Sequence, residues 1–185
     1  MTTDGAWAPL AIPGALRRKM VIHPDDRGSF GELWRDTWTA GLTEPGVVPR
    51  ILQANLSRSH AGVLRGLHLH RRQADLWIVV DGHPFVALVD IRPMIDGSGD
   101  PVSLGFEAVP GDSFYIPAGV AHGFYAHDAI TLVYLVTNEY DSSDELGFVW
   151  DDAEAAVPWP DRQPILSPRD AAAPSLAQFL GRLGG

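Results

Sequence analysis

The chain has 185 residues, 45% hydrophobic and 20% charged, with no cysteine and a formal net charge of −9. That is enough chain to bury one domain's core, and without thiols any metal must sit on His, Asp or Glu. The acidity argues against nucleic acid or anionic lipid as a partner, and apolar runs such as 76–80 are far too short to cross a bilayer. Residues 1–13 lack a basic stretch followed by an apolar run, so no secretory signal is expected and a cytoplasmic protein is.

In chain order, 34–42 predicts a short helix. Residues 47–55, 76–80, 85–91, 113–116, 122–125 and 130–137 are short β-rich segments and predict strands. Asp81 and Gly82 supply a tight turn between two of them, and Gly111-Asp112 and Pro117-Ala118-Gly119 punctuate the next pair. Many short strands at this rhythm predict an all-β sandwich or barrel. Prolines at 158, 160, 164, 168 and 174 suggest a linker, but Trp159, Ile165 and Leu166 among them predict an ordered strap over the barrel. Leu176, Phe179, Leu180 and Leu183 predict a closing helix over 175–183. One domain spanning 1–185 is expected, with a barrel of about 47–150 and a strap and helix over 151–185.

The most informative stretch runs from Gly62 through Leu64, Arg65, Gly66, His68 and His70 to Asp75 and Gly82. Two histidines two residues apart leave one face of a strand, and a carboxylate on the next strand makes a plausible metal shell. Gly111, Pro117, Ala118, Gly119 and His122 supply a third imidazole. His23, His60, His83 and His127 are read as ordinary polar residues. The two stretches resemble the paired motifs of the cupins, with Asp75 where Glu is usual. The resemblance implies a double-stranded β-helix, or jelly-roll, barrel with short peripheral helices.

Flanking residues sharpen the likeness. Asp26-Arg27-Gly28-Ser29-Phe30 with Glu32, Gln53-Ala54-Asn55 with Ser57, and Val63 to His68 resemble the dTDP-4-dehydrorhamnose 3,5-epimerases in order and spacing. So do Ile116-Pro117, Ala121 to Phe124, Tyr134, Thr137, Tyr140, Glu145, Trp150, Trp159 and the run from Leu166 to Pro174. The resemblance implies an isomerase that moves protons beside the ketone of a dTDP-4-keto-6-deoxyhexose, as a 3,5- or 3-epimerase. It implies His68 as base, Asp170 as the carboxylate that orients it, and Tyr134 as acid. Arg27 and Arg65 would grip the pyrophosphate. Phe30 and Tyr140 would contact thymine, and Glu32, Gln53, Asn55, His122 and Glu145 would line the substrate. It also implies a homodimer and no required cofactor.

The family's lysine after the histidine strand has Asp75 in its place here, and a family Gln has become His70. A charge about 4 Å from a developing enolate is worth on the order of 4 kcal/mol at an effective dielectric near 20, so this change reaches the chemistry. Three repairs are open. A divalent metal (Fe, Mn, Ni or Zn) could sit on His68, His70, Asp75 and His122, though that would occupy the base. His70 paired with Asp75 could act as donor, or Arg71 or Arg72 could supply the charge. The His-x-His also resembles the sugar-nucleotide 3,4-ketoisomerases. Two further readings stand beside the isomerase: a metal-dependent cupin oxidoreductase or lyase using those four residues, and a non-catalytic sugar-nucleotide binder.

Overall fold

Strands that read as unbroken apolar runs do so because both of their faces are covered. The structure, a computed structural model, describes residues 5–42 and 50–183. Four short strands open the chain, β1 (Ala8–Pro9), β2 (Leu16–Lys19), β3 (Ile22–Asp25) and β4 (Gly28–Gly31). After a 3₁₀ turn at Asp36–Gly41 come β5 (Gln53–Ser59), β6 (Leu64–Leu69), β7 (Asp75–Asp81) and β8 (Pro84–Asp90). Then follow β9 (Val102–Glu107), β10 (Asp112–Ile116), β11 (Val120–Ala126), β12 (Ile130–Val136) and β13 (Leu146–Gly147). Helices are short: α1 (Arg92–Asp96), α2 (Pro168–Ala171) and α3 (Leu176–Leu183).

Six strands form one sheet in the order β1-β2-β10-β7-β12-β5, and five form the other as β13-β6-β11-β8-β9. From β5 onward the chain changes sheet at almost every connection, which is the jelly roll. Gly82 makes one such crossing with φ +81°, where a Cβ would meet the Ala129 carbonyl at 2.4 Å. Inside, Trp77 and Val79 of β7 meet Val86 and Leu88 of β8, Phe124 of β11 and Leu132 of β12. Their neighbours along the strands, Leu76 and Ile78 on one sheet and Phe85, Ala87 and Val89 on the other, pack outward beneath other chain. This period of two is what selects the residues that face the barrel interior.

Several elements depart from expectation. Residues 47–49 of the expected strand 47–55 lie outside the described residues, and β5 extends to Ser59 because it pairs with β12 from Val136↔Gln53 to Ile130↔Ser59. The expected helix 34–42 is a 3₁₀ turn, with Trp34 and Trp38 edge to face at 6.3 Å. β9 escapes sequence reading because Gly105 interrupts its alternation. That glycine admits the Phe85 ring, whose Cζ lies 2.5 Å from where a Cβ would be. β1 and β2 join the six-stranded sheet, so the sheets take in more chain than 47–150.

The proline-rich segment is ordered over the outer face of the five-stranded sheet. Ile165 bridges Val63 in parallel, with Ile165 N donating to Gly62 O at 2.8 Å and Leu64 N to Ile165 O at 3.0 Å. Trp159, buried against Phe85 and Trp150, donates its Nε1–H to Trp150 O at 2.7 Å. Leu176 and Phe179 of α3 complete the same cluster. Trp159→Ala is expected to cost about 3–5 kcal/mol in denaturant unfolding, because it opens a cavity at the strap's anchor. Trp159→Phe should recover most of the packing but not the hydrogen bond.

Candidate active site

At one end of the barrel the inward positions of five strands stop being apolar. Gln53, Asn55 and Ser57 of β5, Arg65 and His68 of β6, Asp75 of β7, His122 of β11 and Tyr134 of β12 line a cavity of about 490 Å³. His70, just beyond β6, and Tyr140, Glu145 and Asp170 complete its wall. The alternation that fills the lower barrel with Trp77, Phe124 and Leu132 thus places polar groups above it.

His68 Nε2 lies 2.7 Å from Asp170 Oδ1. Asp170 is held in turn: Ser167 Oγ–H donates to its Oδ2 at 2.8 Å, and Ser167 Oγ caps α2 by accepting from Asp170 N at 3.1 Å. Burial opposes ionisation of Asp170, but the His68 hydrogen bond and charge, Ser167 and Arg169 outweigh it and hold the carboxyl below its ordinary range. An ionised carboxylate at Nε2 fixes the imidazole proton there, leaving Nδ1 as the basic nitrogen. Tyr134 shifts the other way. Burial, then the nearby Asp75 charge, raise its pKa, partly offset by Arg65, so the phenol keeps its proton at neutral pH.

Beside this pair, one ligand atom from each of His70, Asp75 and His122 lies within 4.8 Å of the others. His122 Nδ1 bonds to Val120 O at 3.1 Å and its Nε2 faces Asp75 Oδ2 at 3.7 Å. Burial dominates its titration, and against the Asp75 charge it lowers the His122 pKa to about 4. His70 Nδ1 bonds to Asp144 O at 2.9 Å. Asp75 accepts from Gln73 Nε2 at 2.8 Å and Trp77 Nε1 at 3.2 Å. His68 stands outside this cluster, its Nε2 taken by Asp170, so the expected four-residue metal set divides into His68 and a group of three. Arg71 and Arg72 both pair with Asp144, and Arg72 also with Asp141. The chain's single lysine, Lys19, is bonded to Asp112 at 3.1 Å on the β2–β10 ladder, away from the cavity.

Arg65 reaches Ser59 Oγ at 2.9 Å and, among the described residues, pairs with no carboxylate. It is therefore the cavity's uncommitted cation. Gln53 bonds Asn55 and accepts from Tyr140 N, while Tyr140 O–H donates to Glu145 at 3.0 Å. Arg27, Phe30 and Glu32 do not line this cavity. Arg27 pairs with Asp25 at 2.6 Å on the β3–β4 hairpin, and Glu32 pairs with Arg35. His23, His60, His83 and His127 are exposed; His83 pairs with Asp128 and His127 with Glu107.

Three supporting residues went unread in the sequence. Asp144, buried, accepts from the backbone N–H of Arg71 and Arg72 at 3.1 Å each and so shapes the loop after His70. Ser167 steadies Asp170. Arg169 donates to Glu145 O at 3.0 Å and pairs with the Glu145 carboxylate. The Ser-Pro-x-Asp order at 167–170 was a readable N-cap signal, whereas nothing local marks Asp144 as buried.

Residues 9–178 match the sequence profile of the dTDP-4-dehydrorhamnose 3,5-epimerases. A dTDP-4-dehydrorhamnose 3,5-epimerase of Streptomyces griseus is 35% identical over 92% of this chain and 86% of its own length. Among solved structures, NovW is a 4-keto-6-deoxy sugar epimerase from the novobiocin gene cluster of Streptomyces spheroides. It superposes with a TM-score of 0.84 at 33% identity, over 100% of this chain and 94% of its own. ChmJ, a 3'-monoepimerase from Streptomyces bikiniensis solved with dTDP-quinovose, gives 0.81 at 33% identity, over 95% and 89%. With sequence, fold and near-complete coverage in agreement, the chain belongs to the dTDP-4-dehydrorhamnose 3,5-epimerase family of isomerases.

Proposed function

We propose that this enzyme epimerises a dTDP-4-keto-6-deoxyhexose by proton transfer at a carbon flanking the ketone. The observation that carries the reading is the 2.7 Å His68–Asp170 pair in one cavity with Tyr134. His68 Nδ1 takes the proton from carbon 3 or 5, and the C–H electron pair moves into an enolate ending on the C4 oxygen. The enolate then collapses as the Tyr134 O–H returns a proton to the opposite face of the same carbon, inverting it. Solvent reprotonates the phenolate and removes the proton from the imidazolium, so the cycle closes without redox change. A base and a retained acid on separate strands are what inversion, as distinct from simple exchange, requires.

Substrate binding follows from the charges. Among the described residues Arg65 pairs with no carboxylate, and it suits a pyrophosphate oxygen, which explains how an acidic protein takes a dianion. Arg27 and Phe30 sit on the β3–β4 hairpin, which belongs to neither large sheet, and Phe30 is 64% exposed. β5 is an open sheet edge whose Leu56 is also exposed. These features support a homodimer in which the hairpin of one copy completes the nucleotide site of the other. The likeness to NovW and ChmJ supports a place in deoxysugar or natural-product biosynthesis, and favours epimerisation over a metal-dependent oxidoreductase or lyase. Among the described residues no helix is long and apolar enough to cross a membrane, in keeping with the proposed cytoplasmic location.

Incubated with dTDP-4-keto-6-deoxyglucose in deuterated water, the purified protein should place deuterium at carbon 3 or 5, read by NMR. His68→Asn should slow uptake by about 10³-fold or more, and Tyr134→Phe should slow inversion more than exchange. Absence of uptake at both carbons would remove the reading.

Asp170→Asn should lower kcat by roughly 10²–10⁴-fold with little change in KM, since it spoils the tautomer and spares the pocket. It also predicts a pH effect. A carboxyl held below its unfolded value adds stability that is present above about pH 4 and lost as the pH falls further. Acid unfolding of Asp170→Asn, compared with the parent chain, should therefore lack that part of the decline.

Arg27→Ala should raise KM about tenfold or more with kcat nearly unchanged, although Arg27 lies outside its own chain's cavity. An unchanged KM would remove the role of the hairpin.

A further inference from the structure

The cluster of His70, Asp75 and His122 poses a bonding question that the proton-transfer pair does not answer. Each imidazole gives its Nδ1–H to a backbone carbonyl, Asp144 O for His70 and Val120 O for His122. Each ring's remaining nitrogen therefore presents a lone pair, and among the described residues neither Nε2 has a hydrogen-bond donor. His122 Nε2 faces the carboxylate of Asp75, a third electron-pair donor, at 3.7 Å, and a ring nitrogen of His70 lies within 4.8 Å of both, in a space where His122 and Asp75 are 5% and 3% exposed. Two lone pairs and an anion gathered out of water repel one another unless something positive lies between them.

Geometry decides what that is. A carbonyl on the far ring nitrogen is the arrangement that orients histidines toward metals. The carboxylate is similarly fixed from outside by Gln73 Nε2 and Trp77 Nε1. Ligand atoms about 2.1 Å from one first-row cation lie roughly 3.4 Å apart in tetrahedral geometry, so a 4.8 Å spread closes with side-chain shifts of up to about 1 Å. We propose that His70, Asp75 and His122 form a divalent transition-metal site at the floor of the cavity, with two nitrogens and one carboxylate oxygen as ligands.

The three ligands come from the loop just past β6, the start of β7 and the middle of β11, and all three line the cavity. His122 pairs with His68 across β11 and β6, which sets the cation beside the proposed base without using it. Its role rests on the keto-sugar reading: a cation there supplies positive charge for the ketone oxygen, which Lys19 on the outer ladder cannot. The site itself stands apart from that reading.

The test is metal binding by tag-free, full-length protein stripped with a chelator. Calorimetric titration with Zn²⁺, and with Co²⁺ followed by its visible ligand-field bands, should each show one equivalent per chain. His70→Gln is the gentlest ligand change, since that side chain is only half buried. With its thermal unfolding unchanged, it should weaken binding about 100-fold or more, and Asp75→Asn similarly. His68→Asn should leave the affinity within about twofold. Weak or substoichiometric binding would overturn the proposal, as would binding that His70→Gln leaves intact, which would assign the metal to surface pairs such as His83–Asp128. Because no sugar enters this assay, metal binding without deuterium exchange would sink the keto-sugar reading alone, and exchange without metal binding would sink the site alone.

Discussion

Asp170 meets His68 across 102 residues of chain, and the candidate site depends on that meeting. A carboxylate delivered by a proline-rich strap is only as well placed as the strap itself. Several contacts fix it in succession: Trp159 under Trp150, Ile165 bridged to Val63, Ser167 capping α2, and Leu176 and Phe179 buried on the outer face of the sheet. The prolines contribute by limiting the conformations the strap can lose on folding. The outer core of the five-stranded sheet thus serves the proposed proton transfer, since it holds the carboxylate whose hydrogen-bond partners among the described residues are the His68 and Ser167 side chains.

The cavity resolves an apparent contradiction between a net charge of −9 and an anionic ligand. Arg72 and Arg169 on its wall are already paired, with Asp141, Asp144 and Glu145, and so act mainly as local structure. Arg65, bonded to a serine hydroxyl and a backbone carbonyl, keeps its full charge for a ligand. Local pairing, not the chain's overall charge, sets the field at the mouth.

The sequence was legible where chemistry and periodicity coincide. β7, β8, β10, β11 and β12 lie within a residue or two of their expected places, because most of their positions are buried and apolar runs mark them. α3 follows from the spacing of Leu176, Phe179, Leu180 and Leu183. β9 was not legible, because Gly105 serves a neighbour's ring and not its own strand's pattern. Within the site, the histidines stood out through their spacing, and Asp170 only through likeness to a family, since no local pattern states which residue it will reach. Arg27 and Phe30 show the opposite limit. Their motif was plain in the sequence, yet within one chain the hairpin holds them away from the cavity.

The divided fate of His68 and His70 follows from where a strand stops. Two residues apart, both project inward, and alternation alone treats them as equivalent. β6 ends at Leu69, however, so His68 is fixed within the ladder opposite His122, with the strap on its outer side, while His70 belongs to the loop that Asp144 organises. The strap's carboxylate claims one ring, and a backbone carbonyl in that loop claims the other. A single nitrogen cannot be both metal ligand and base, and this chain does not ask it to be. By ending the strand between the two histidines it separates the proposed proton-transfer group from the electron-pair cluster, so the two proposed chemistries would not compete for one imidazole.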